Sequence, residues 1–190
     1  MSVLHFIRHL PAAGAEGRAI GHTDLPLADV ASARRLAEAW PHAPPGRLFA
    51  SPLARAQQTA DALGEAWGVP VETDARLAEV DFGLWDGRTW AEIEQADGDA
   101  LTAWMAEWTT TAAPGGESFA DVQARVGDWL DSLGAETEAV VVAHAGSIRA
   151  ALVHVLGLPA EHAFRLAIVH GARTTVRVHP PELLALNVPL

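Results

Sequence analysis

The sequence predicts an α/β protein, a three-layer α/β/α sandwich around a mostly parallel, mixed sheet. Three observations carry this. Short apolar runs alternate with longer segments of helical spacing along almost the whole chain. The runs Val3–Ile7 and Ala139–Ala143 are nearly continuous in apolar residues, as strands covered on both faces are. No internal repeat, low-complexity run or linker interrupts the 190 residues, a length that suits one domain with a sizeable core.

Taken in order, Val3 to Ile7 reads as the first buried strand. Ala28 to Trp40 has helical spacing, with Val30, Ala33, Leu36, Ala37 and Trp40 on one stripe. Arg47 to Ala50 is a second short strand. Ser51-Pro52 then reads as a helix start, serine at the cap and proline at the first helical position. That helix runs to about Trp67 and Gly68 ends it, and Val69 to Glu72 is a third strand. From Asp74 to Gly116 the pattern is irregular, with short helices near Trp90–Gln95 and Leu101–Trp108 and a break at Pro114-Gly115-Gly116. Ser118 caps the next helix, with Asp121 completing a variant capping box. After the strand Ala139–Ala143, Ala145-Gly146-Ser147 forms a tight turn into a helix Ile148–Leu156, closed by Gly157 and Pro159. Strands near Arg165–Val169 and Thr174–Val178 and a short segment Leu183–Asn187 complete the chain. The whole, 1–190, reads as a single domain with a cap-like insertion at about 74–116.

Composition narrows the function. The net charge is -11, and every basic side chain apart from histidine is an arginine. An acidic surface argues against nucleic-acid binding and against anionic membranes. The absence of cysteine excludes disulfides, thiolate metal sites and a cysteine nucleophile. The first residues lack the basic region and long apolar run of a signal peptide, and no stretch has the apolar length of a membrane span. A soluble, cytoplasmic protein is expected, monomeric or homodimeric.

Ligands of open α/β sheets bind beyond the carboxyl ends of the strands. Three charged groups fall at such ends: Arg8-His9, Ser51 with Arg55, and His144. Each alone has a plain structural explanation: a loop pair, a solvated helix arginine, a satisfied histidine at a strand end. The segment Leu77 to Gly87 adds Glu79, Asp81 and Asp86 among apolar residues, where a carboxyl group can serve as a general acid.

Together these residues resemble the histidine phosphatase, or phosphoglycerate mutase-like, superfamily. Its Arg-His after the first strand matches Arg8-His9. Its Ser-x-x-x-Arg-Ala-x-x-Thr-Ala helix matches Ser51, Arg55, Ala56, Thr59 and Ala60. Its Leu-x-Glu-x-x-Phe-Gly-x-Trp-x-Gly segment matches Leu77, Glu79, Phe82, Gly83, Trp85 and Gly87, and its late histidine matches His144-Ala145-Gly146. One departure stands out: where the family usually has glycine after the nucleophilic histidine, this chain has Leu10, followed by Pro11.

The resemblance implies a phosphomonoesterase that needs no cofactor and no metal. A neutral His9 attacks phosphorus, with its other ring nitrogen fixed by a carbonyl. Arg8, Arg55 and a protonated His144 hold the phosphoryl oxygens. Glu79 protonates the leaving oxygen and then helps to activate water, with Asp81 as the fallback acid. Gly21, His22 and Ala145 are expected at the phosphate or substrate, and His22 and His170 are candidates for the substrate end of the pocket. His5 is expected to be structural, and His42, His154, His162 and His179 have no ligand spacing. The segments Gly21–Leu27, Glu79–Gly87 and Pro114–Phe119 resemble the α-ribazole phosphatase branch. That implies removal of phosphate from α-ribazole 5'-phosphate in cobalamin nucleotide-loop assembly, with a nucleoside pocket under the 74–116 cap. A phosphoglycerate mutase or a broad-specificity phosphatase is the alternative within the superfamily, and a non-catalytic binder of phosphorylated ligands the alternative outside it. In each case the partner is a small phosphorylated metabolite.

Overall fold

The computed structural model describes residues 2–134 and 137–190. Four strands run parallel: β1 (Val3–Arg8), β2 (Arg47–Ala50), β3 (Val71–Thr73) and β4 (Glu138–Ala143). A hairpin of β5 (Arg173–Arg177) and β6 (Glu182–Val188) adds to them antiparallel, giving the order β3-β2-β4-β1-β5-β6. The sheet is therefore mixed, with its parallel part at the end that carries the charged motifs.

Strand periodicity sends alternate side chains to opposite faces. Leu4, Phe6, Val141 and Ala143 pack under α4 (Phe119–Asp131) and α5 (Ala145–Leu156). Ile7, Val140, Val142 and Leu48 pack under α1 (Val30–Glu38) and α2 (Ala54–Trp67). These are the two outer layers. The 74–116 region has its own small core of Trp85, Ile93, Leu101 and Ala113, joined by Ala19 from the loop after β1. No helix among the described residues is long and apolar enough to cross a membrane.

Four local expectations are corrected. The segment 165–169 is not a strand: 3-10 turns occupy Ala160–Arg165, and side chains satisfy the backbone that follows. Arg149 donates to the Leu166 carbonyl (3.0 Å), Arg8 to that of Ile168 (2.7 Å), and Asn187 brackets the Ala167 carbonyl and the Val169 N–H. Ser51 does not cap α2, which begins at Ala54; the Ala54 N–H is taken by Asp24 (2.6 Å), which the sequence places 30 residues away. The two short helices of the cap are one element, α3 (Trp90–Glu107), kinked at Asp97 with φ -131° and ψ 31°. Ala145-Gly146-Ser147 is the first turn of α5 itself, and this matters for the site.

Candidate active site

Parallel pairing brings the carboxyl ends of β1, β2 and β4 together. The His9 N–H donates to the Ala143 carbonyl (3.0 Å) and the Ser51 N–H to that of Val142 (3.1 Å), so Arg8-His9, Ser51 and His144 are locked side by side. His9 is buried, and its Nδ1–H donates to the carbonyl of Leu10 (2.7 Å). This fixes the tautomer and leaves Nε2 with its lone pair, the form required of a nucleophile. Burial, and then Arg55, His170 and Arg8, hold the imidazole down to about 2 despite the Leu10 bond, so the ring is neutral at neutral pH.

Leu10 fits the loop without left-handed backbone: Asn187 is the one non-glycine residue with positive φ among the described residues. The Leu10 N–H remains a donor, to Thr59 Oγ1 (3.3 Å), and its side chain joins the cores under α1 and α2. Gly171 makes room for it, since a Cβ there would sit 2.9 Å from Leu10 Cδ2.

The two arginines are held by carbonyls. Arg8 Nη1 donates to Ile168, while its buried Nε has no partner among the described residues. Arg55 is fully buried and donates to the carbonyls of Gly21 (2.6 Å) and Thr23 (3.0 Å). That loop is in turn shaped by Asp86, which accepts from the N–H groups of Gly21, His22 and Thr23 at 3.2, 2.6 and 2.8 Å. Gly21 is obligatory here, because a Cβ would lie 2.1 Å from the Val80 carbonyl oxygen. Asp86 thus shapes the loop whose carbonyls hold Arg55; the sequence shows it as part of a motif but not in that role.

His144 is completely buried, its Nε2 2.7 Å from Ser51 Oγ. Its ring centroid lies 4.9 Å from that of His9. The expectation of a protonated His144 is corrected. Burial first, then His9, Arg55 and Arg8, push it well below 6.5, and the protein itself holds it neutral. A charged His144 requires the negative charge of a phosphoryl group beside it.

Glu79 is placed by the first turn of α5. The Gly146 N–H donates to both its oxygens (3.0 and 3.2 Å) and the Val80 N–H to Oε1 (2.9 Å). A Cβ at Gly146 would sit 2.2 Å from Oε1, so any larger residue there would displace the carboxylate from this position. Arg125 holds the chain below it, donating to the carbonyls of Arg76, Ala78 and Glu79 (2.8–2.9 Å) and pairing with Glu117. Nothing in the sequence singles out Arg125.

Arg8, His9, Arg55 and Glu79 line one cavity of about 840 Å³, together with His170. Its outer wall is the loop 11–20, including Pro11, Ala12, Glu16 and Arg18. Among the described residues Glu79 is the one member of 74–116 on that wall, so the pocket opens beside the 11–20 loop and not under the cap. Gly21, Ala145 and the completely buried His144 do not line it. His22 turns away, donating through Nε2 to the Glu79 carbonyl (3.0 Å) and lying 3.6 Å from Asp81. Of the two histidines considered for the substrate end, His170 is the one on the wall.

The model of the histidine phosphatase superfamily, branch 1, matches residues 4–187. The chain belongs to this superfamily. It is 36% identical over 163 residues, 78% of this chain and 71% of the relative, to the glucosyl-3-phosphoglycerate phosphatase of Mycolicibacterium vanbaalenii. It is 26% identical over 181 residues, 92% and 90% of the two chains, to the adenosylcobalamin/α-ribazole phosphatase of Salmonella typhi. Some curated relatives are much longer: the chain spans 36% of a bifunctional protein of Mycobacterium tuberculosis. The crystal structure of the α-ribazole phosphatase from Shigella flexneri superposes with a TM-score of 0.90 at 24% identity, covering 99% and 98% of the two chains. The fold is that of the phosphoglycerate mutase-like histidine phosphatases, and this member is a phosphomonoesterase.

Proposed function

We propose that the protein hydrolyses a small phosphate monoester through phospho-His9. The observation that carries this reading is the His9 Nδ1–H bond to Leu10, which leaves Nε2 as a nucleophile on the wall shared with Arg8 and Arg55. The arginines neutralise the phosphoryl oxygens as charge develops on them. His144 gains its proton as the phosphoryl group arrives and becomes a further donor. Glu79 protonates the departing oxygen, and its carboxylate then draws the proton from the water that releases phosphate. No step needs a metal ion. The catalytic unit is one domain, with 74–116 as a cap that supplies Glu79.

The substrate that fits the cavity's outer wall best is α-ribazole 5'-phosphate, with α-ribazole as the leaving group. Pro11, Ala12, Ala13 and Ala15 give the outer wall small apolar surface suited to an aromatic base. A second reading, glucosyl-3-phosphoglycerate, is favoured by Arg18 on the same wall, a cation for a carboxylate, and by the higher identity of that relative. Phosphate release is measured with both compounds, 3-phosphoglycerate and a generic aryl phosphate, with a chelator present. The highest kcat/KM is expected on α-ribazole 5'-phosphate. A higher value on either glycerate ester overturns the substrate assignment, and activity lost to the chelator overturns the metal-free mechanism.

A further inference from the structure

The reaction proposed above leaves His170 without a task, although it stands against the nucleophile. Its ring centroid is 5.0 Å from that of His9, and the segment carrying it is fixed alongside β1. Arg8 and His170 form a parallel bridge, and the Gly171 N–H donates to the Arg8 carbonyl (2.9 Å). His170 Nδ1–H donates to the His9 carbonyl (2.7 Å). One nitrogen is thereby committed to the backbone, and the ring lines the cavity.

We propose that His170 is a phosphoryl-binding residue: held through Nδ1 by the His9 carbonyl, it takes a proton from solvent at Nε2 and, keeping it, donates a hydrogen bond to an equatorial oxygen of the phosphoryl group at His9. In-line displacement puts the leaving oxygen, and later the water, opposite His9 Nε2. A ring packed on the flank of His9 faces the equatorial oxygens and not that apical position, which separates its work from that of Glu79. Because Nδ1 already donates, a second donor on the ring exists only in the imidazolium form. The groups around it set when that form appears. Burial lowers its pKa, the His9 bond opposes this, and Arg8 and Arg55 lower it further. Glu79 shares the cavity wall, and on the α1 side Arg35 is already paired with Asp29. The ring is thus a neutral base at neutral pH until a dianionic group offsets the two arginines. Binding of phosphate then carries a proton from solvent onto His170.

This inference rests on the phosphatase reading, and the test separates the two. Binding of inorganic phosphate is measured by calorimetry at about pH 7.5 in buffers of different ionisation enthalpy, which counts protons taken up. His170→Asn keeps a donor for the His9 carbonyl but has nothing at the Nε2 position; His170→Gln places a donor there that does not titrate. Asn is expected to weaken phosphate about tenfold or more, as for a lost charge-assisted bond, and to reduce proton uptake by most of one proton. Gln is expected to recover part of the affinity and none of the uptake. Either variant binding phosphate within about twofold of the parent with unchanged proton uptake overturns the role of His170. Failure of the parent protein itself to bind phosphate overturns the phosphatase reading and this inference with it.

Discussion

The two ends of the cavity are built differently. At the end of the cavity that carries His9, four polar side chains are tied to backbone: His9 to Leu10, Arg8 to Ile168, Arg55 to Gly21 and Thr23, and Glu79 to Gly146. At the leaving-group end the wall is a loop anchored at its edges, through Ala28 N–H to Pro11, Ala19 N–H to Arg88 and Trp90 N–H to Gly17, with exposed residues between. Fixed dipoles at the first end serve one transition state, whereas the loop can vary without disturbing them. Under the proposed reaction, chemistry and specificity reside in separate parts of the cavity wall.

That separation can be broken by substitution. Glu79→Gln should lower kcat by about 10² to 10⁴, the usual range for a lost general acid, while leaving phosphate binding near that of the parent. Steady-state kinetics and phosphate titration check the pair. Gly146→Ala should cost about 10² in kcat, since the new methyl displaces the Glu79 carboxylate on which a Cβ would fall; a loss under about twofold would show that the carboxylate has other room. The leaving-group end should respond weakly. Arg18→Ala is expected to raise KM a few fold, about the worth of one exposed charge contact, for an ester bearing a carboxylate and not for an aryl phosphate.

The buried imidazoles predict a second difference, in acid. His9 titrates at about 2 in the folded protein and at 6.5 in a free chain, so between these values the unfolded state binds the extra proton. Stability therefore rises with pH and is lost as pH falls from 6.5. His9 alone should remove about 2 kcal/mol between pH ~6.5 and ~5, and His144 and His170, lowered in the same sense, add to this. Thermal melts at the two pH values check it. His9→Asn should flatten the slope, and Arg18→Ala should leave it unchanged.

Much of this arrangement was legible in the sequence. The buried strands, the strand-end charges and the order of the four motifs all have local signatures, and the structure brings Arg8, His9, Arg55 and Glu79 to one wall. The rest depends on contacts between distant segments. Asp24 capping α2, Asp86 organising the 21–23 loop and Arg125 holding the Glu79 segment are polar residues whose partners lie 30 to 65 positions away. Apolar periodicity also misleads at 165–169, because side chains there complete a backbone that in a strand a neighbour would complete. The neutral state of His144 in the free site is hidden for a related reason: residue type does not reveal complete burial beside two arginines.

The central claim is that His9 becomes phosphorylated. Rapid acid-free quenching during turnover with labelled phosphate ester, followed by peptide mapping, tests it most directly. The account predicts a label on His9 that is stable in base and labile in acid, that builds up when Glu79 is replaced by Gln and a good leaving group is used, and that is absent from His9→Ala. A label on another residue, or turnover by His9→Ala at the parent rate, would contradict it.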